Sequence, residues 1–141
     1  MHFVTGGACN GKAKWVKDQL WRSEDSLWIS AFKGDDLDQA FAPLTVVEGV
    51  ETYIRNETLQ SGLQAAENWK GLVLKWKAWE TSQADRKLVL IGSDISKGIV
   101  PIREEDRLWR DSTGWVYQHI IQHADQADLI WYGIPSTLKT Q

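Results

Sequence analysis

Apolar and polar positions alternate in blocks along this chain, and block length separates strands from helices. Residues 2–5, Ser26–Ala31 (Ser-Leu-Trp-Ile-Ser-Ala), Leu44–Glu48 (Leu-Thr-Val-Val-Glu), Leu88–Ile91 and Asp128–Tyr132 are short apolar runs of strand length. Gly92 closes the fourth of them, and Gly133 and Pro135 stop the last. Helical spacing runs through 11–22, Val50–Asn56 and Leu63–Glu80, with a weak break at Ser61-Gly62. In the longest of these, Trp69, Leu72, Val73, Trp76 and Trp79 make one broad apolar stripe. The charged segment Arg103–Arg110 has helical character, and Asp111 or Ser112 stands where it would cap a helix running to His123. Val116, Ile120 and Ala124 then share one face of that helix. Residues 32–43 are polar, with Asp35, Asp36, Asp38 and finally Pro43, and read as a loop or irregular turn.

Strands separated by helices pair in parallel through right-handed crossovers. The expected class is α/β, one domain over 1–141, with an open and mostly parallel sheet covered by helices on both faces. In such a sheet ligands lie outside the carboxyl ends of the strands. That rule selects Gly6–Ala13, Ser30–Phe32, Glu48-Gly49 and Gly92–Asp94.

The first of these segments carries the chemistry. Gly6-Gly7-Ala8-Cys9-Asn10-Gly11-Lys12 reads G-x-x-x-x-G-K between a strand and a helix, the pattern of a phosphate-binding loop. Its glycines let the backbone bend around an anion, its N–H groups and the helix start face the phosphates, and Lys12 adds a full charge. Ala13 stands where Ser or Thr would offer an oxygen to Mg²⁺. Candidate nucleotide-binding residues are therefore Gly6, Gly7, Ala8, Cys9, Asn10, Gly11, Lys12 and Ala13, joined by Ser30, Ala31 and Phe32 after the second strand. Lys12 and Glu48 are the candidate catalytic residues. Glu48 ends an apolar run and is a candidate acid for organising a Mg²⁺ hydration shell; equally, it is a strand-end carboxylate facing water or capping the next helix.

Composition narrows the function classes. The chain has 141 residues, 43% hydrophobic and 25% charged, enough to bury a core without disulfides or metals. A net charge of −3 with no basic block argues against a nucleic-acid partner. The single Cys9 excludes an internal disulfide and fits a reducing cytoplasm. No stretch has signal or membrane-spanning character, so the expected location is the cytoplasm. The nine tryptophans read as core or subunit-interface residues, or as a platform for a flat ligand; the helical period favours packing. His119 and His123, one helical turn apart, are able to share a metal, though flanking packing residues is the simpler reading. The acidic run Glu104-Glu105-Asp106 reads as a solvated face.

The order of these motifs resembles the adenosylcobinamide kinase/adenosylcobinamide-phosphate guanylyltransferase family of late cobalamin assembly. The opening Val-Thr-Gly-Gly-Ala-x-x-Gly-Lys is similar to that family's start. Gly98-Ile99-Val100-Pro101, Arg107, Arg110-Asp111, Gly114 and Gln118 resemble its downstream signature, and Ala124-Asp125, Gly133-Ile134-Pro135 and Leu138-Lys139 its C-terminal strand and tail. The resemblance implies a phosphate-loop nucleoside-triphosphate fold, ATP or GTP with Mg²⁺ as cofactors, adenosylcobinamide as substrate and a homo-oligomer, a trimer in the family. It also implies phosphorylation of the cobinamide hydroxyl, then transfer of GMP through a guanylylated histidine. The chain departs from the pattern where that histidine should fall. Phe32–Pro43 is short and contains none, and His2, His119 and His123 lie elsewhere. Ala13 replaces Ser or Thr, Glu48 replaces Asp, Ser93-Asp94 replaces Asn-Glu and Ser96 replaces Gly. The kinase step, or a non-catalytic role in holding a nucleotide or corrinoid, is what those departures leave.

Overall fold

The β-branched and apolar runs build the sheet, and their period puts alternate side chains on opposite faces. A computed structural model describes residues 1–8, 10–22, 24–96 and 101–140. Its elements are β1 (His2–Gly6), α1 (Lys12–Gln19), β2 (Ser26–Ser30), β3 (Leu44–Glu48), α2 (Val50–Ser61), α3 (Ala65–Thr81), β4 (Lys87–Ser93), α4 (Glu104–His123), β5 (Gln126–Trp131) and β6 (Ile134–Lys139). They form one six-stranded sheet in the order β2-β3-β4-β1-β5-β6. All neighbours are parallel except β5 and β6.

This order dictates where the helices go. The step from β1 to β2 runs to the far edge, while every later parallel step runs back the other way. Right-handed crossovers in opposite directions fall on opposite faces. Accordingly Val16 of α1 packs with Val4, Val46, Val89, Ile91 and Ile130 on one side. On the other, Phe3, Val47, Leu88, Leu90 and Ala127 meet Ile54 of α2, Trp69, Val73 and Trp76 of α3, and Val116 and Ile120 of α4. The tryptophan stripe is thus core: Trp69 and Trp76 are buried edge to face, 5.6 Å between centroids, with Leu72 and Trp79 packed against the same cluster.

Several expectations shift. α1 stops at Gln19, short of 22, and α2 continues through to Ser61 before the 3-10 turn at Gly62–Gln64. β4 runs past Gly92 to Ser93. Neither Asp111 nor Ser112 caps a helix, because α4 is continuous from Glu104; Ser112 is fully buried within it. The acidic Glu104, Glu105 and Asp106 begin that helix, where its dipole favours negative charge. Gly133 does not end the sheet either. Tyr132 (φ 50) and Gly133 (φ 74) form a two-residue turn with both residues left-handed, and the chain returns as β6. Pro135 is tolerated there because β6 is an edge strand. Among the described residues, no helix is long and apolar enough to cross a membrane.

Candidate functional site

At the carboxyl ends of β1, β3 and β4 lies a cavity of about 500 Å³. Ala8, Gly11, Lys12 and Ala13 line it from the loop after β1 and the start of α1, Phe32 from the turn after β2, Glu48 and Gly49 from the end of β3 and the residue after it, and Ser93 and Asp94 from the end of β4 and the residue after it. All four segments selected by the strand-end rule therefore contribute to one space.

The loop is held from both sides. The N–H of Asp94 donates to Gly6 O at 2.8 Å, and that of Gly133 to Asn10 O at 2.9 Å. Gly6 has φ 144, and a Cβ there would stand 2.3 Å from the carbonyl oxygen of Ile130, so only glycine fits. At Gly7 a Cβ would meet the Asn10 side chain at 2.9 Å. Gly11, left-handed at φ 85, is the N-cap of α1. The amides from Gly11 to Lys14 precede the first intrahelical bond, from Trp15 N–H to Gly11 O at 2.9 Å, and are the donors a helix start leaves for an anion. Lys12 is buried and donates from Nζ to Gly7 O at 2.8 Å, so its charge sits inside the loop. Cys9, also named as a nucleotide-binding candidate, lies outside the described residues, as do Gly98, Ile99 and Val100 of the downstream signature.

The segment after β2 divides. Phe32 is exposed and reaches the cavity, whereas Ser30 is buried and takes a local part. Its Oγ accepts the Phe32 N–H at 3.2 Å and its own N–H donates to Asp35 Oδ2 at 2.9 Å. Ala31 does not line the cavity; it packs so close to Gly49 that a Cβ on the glycine would fall 2.9 Å from its own. Glu48 accepts a hydrogen bond from the Trp28 indole at 3.2 Å. It does not cap α2, whose N-cap is Gly49 without a side-chain cap bond.

Glu51, which sequence reading passed over, is the buried acid of the site. It occupies the first turn of α2, lines the cavity, and its Oε1 accepts the Ser93 N–H at 3.0 Å. Trp109 of α4 lines the same space and donates from its indole to the Glu51 carbonyl at 2.8 Å. Beneath them Tyr117 donates its hydroxyl to Ser93 O at 2.7 Å. Burial, then the charges of Glu51 and Asp94, push that phenol well above its ordinary value, so it remains a donor. The only sequence signal for Glu51 was an acid just after a strand end and a glycine.

Mg²⁺ keeps most of its waters and takes one or two carboxylates plus phosphate oxygens. Glu48, Glu51 and Asp94 fit that outer role, and Ala13 supplies no inner oxygen. Among the described residues there is no cluster of three or more His, Cys, Asp or Glu able to hold a metal by itself, and that includes His119 and His123.

The histidines are all at the other end of the molecule. His2 opens β1 and meets Asp128 Oδ2 at 2.6 Å, both buried. His119 and His123 stack at 4.4 Å near the end of α4, where His123 Nδ1 pairs with the His119 carbonyl at 2.9 Å. Burial lowers the pKa of His2 against the opposing pull of Asp128, and burial with the neighbouring His123 lowers that of His119.

A family profile described as cobinamide kinase / cobinamide phosphate guanyltransferase matches residues 33–138, well over half of the chain. No curated protein matches it. The matched span begins after the glycine-rich loop, so Gly6–Ala13 lies outside it.

Proposed function

The chain belongs to the cobinamide kinase / cobinamide phosphate guanyltransferase family, and on that premise we propose that it binds ATP or GTP on Gly6–Lys12 and phosphorylates a cobinamide hydroxyl. The observation that carries the reading is the shared cavity. A helix-start loop with a buried lysine opens onto the same space as Glu48, Glu51 and Asp94. In phosphoryl transfer the protein mainly positions the reactants and offsets charge. Lys12 and the amides of Gly11–Lys14 hold the phosphates, and Glu48 of β3, Glu51 of α2 and Asp94 after β4 face the transferring end. Mg²⁺, when bound, would neutralise phosphate charge, with Glu48 holding its water shell. Self-association belongs to the reading as well; Leu59 on α2, Leu63 in the turn that follows it and Trp115 on α4 expose apolar surface for it.

Histidine-dependent guanylyl transfer is lost in this reading. The phosphoramidate needs an imidazole at the cavity, and all three histidines of the chain stand at the opposite ends of the strands. A second reading, a non-catalytic binder of nucleotide or corrinoid, is favoured by Ala13, which removes the hydroxyl oxygen from the loop. One assay separates them: kinase turnover with adenosylcobinamide for the native chain and for Ala13→Ser. Turnover by both supports the enzyme, and turnover by the variant alone supports the binder. Labelled GTP should leave no acid-labile GMP on the protein; a covalent adduct would overturn the loss of the second step.

A further inference from the structure

The phosphate loop has two flanks, and the cavity occupies only one. On the other flank stands the turn between β5 and β6. It is fastened to the loop by the Gly133 N–H bond to Asn10 O at 2.9 Å, and a Cβ on Gly11 would lie 3.4 Å from Gly133 Cα. Large rings at this turn are left in water: Trp131 is 65% and Tyr132 76% exposed, with centroids 5.2 Å apart. The left-handed Tyr132 and Gly133 shape the two-residue turn, and the bond to Asn10 O joins the rings' backbone to the loop. Most of the chain's tryptophans are at least partly packed in the core, which makes this exposed pair a departure from the molecule's own habit.

A nucleoside triphosphate is longer than its anion site. With its last phosphate toward Lys12 and the carboxylates, its base extends to the flank away from the cavity. We infer that Trp131 and Tyr132 form the stacking face for the purine base, an inference that rests on the phosphates lying on Gly6–Lys12. Aromatic rings and purines stack through their flat faces, without a donor–acceptor code. The pair therefore recognises a purine as such and separates adenine from guanine only weakly.

Calorimetric titration with ATP and with inorganic triphosphate tests this on the native chain, on Trp131→Ala/Tyr132→Ala and on Trp131→Phe/Tyr132→Phe. Removing both rings should weaken ATP binding about tenfold or more, leave inorganic triphosphate unchanged, and be repaired by the phenylalanines. ATP affinity unchanged in the alanine variant, with native binding of both ligands, would overturn the stacking role alone. Equal losses for ATP and triphosphate would mean damage to the loop and also overturn it. A native chain that binds neither ligand removes the proposed function and this inference together. If sedimentation shows the alanine variant turning an oligomer into a monomer with ATP affinity intact, the rings are a subunit contact and the inference fails.

Discussion

Gly92 shows how closely single residues are fitted behind the cavity. A Cβ there would stand 2.3 Å from the Tyr117 hydroxyl oxygen, whose bond to Ser93 O steadies the end of β4. Gly92→Ala should destabilise the fold by about 1–3 kcal/mol through overpacking, read as a lower urea midpoint; an unchanged midpoint would show that Tyr117 yields freely. Glycines of this kind were visible in the sequence only as punctuation. The loop residues were legible because G-x-x-x-x-G-K states its backbone chemistry locally. Glu51 was not, since an acid in a first helical turn already has a reason to be there. Its place in the site follows from the neighbouring Ser93, 42 residues away in the chain. Ser30 shows the converse: it stands at a strand end, and its hydroxyl accepts a hydrogen bond from the turn that follows.

Among elements, the strands were the most legible. Leu44–Glu48 was readable to the residue because an apolar β-branched run between Pro43 and Gly49 has one good conformation. α4 and β6 were harder for opposite reasons. In α4 the cap-like Asp111 and Ser112 were overridden by an apolar face that continues from Trp109 through Val116 to Ile120. In β6 the residues are nearly all exposed, so no hydrophobic alternation announces the strand; only pairing with β5 makes it one. α3 contributes most through its buried ring pair. Trp69→Ala should cost about 3–5 kcal/mol, whereas Leu74→Ala on the exposed side should cost under about 0.5 kcal/mol. Denaturant unfolding of the two variants compares them, and similar losses would contradict the assignment of the stripe to the core.

At the scale of the whole molecule, the sheet divides binding chemistry from structural titration. The cavity beside the glycine loop is at one end of the strands and the three histidines are at the other. His2 and His119 are both held below the ordinary imidazole value of 6.5, so on acidification the unfolded chain takes up protons before the folded one. Stability is therefore complete above that value and declines as pH falls below it. Thermal unfolding from pH 8 to 5 should show the decline in the native chain and a shallower one in His2→Gln; parallel curves would remove His2 from the cause. At the opposite end, the proposed function requires a triphosphate resting on Gly6–Lys12. The most direct measurement is the thermal midpoint with ATP or GTP at about a hundredfold excess over its dissociation constant. The native chain should gain roughly 5 °C or more, and Lys12→Ala, stripped of the loop's cation, should lose most of that gain. A native midpoint indifferent to both nucleotides, or an equal gain in Lys12→Ala, would contradict it.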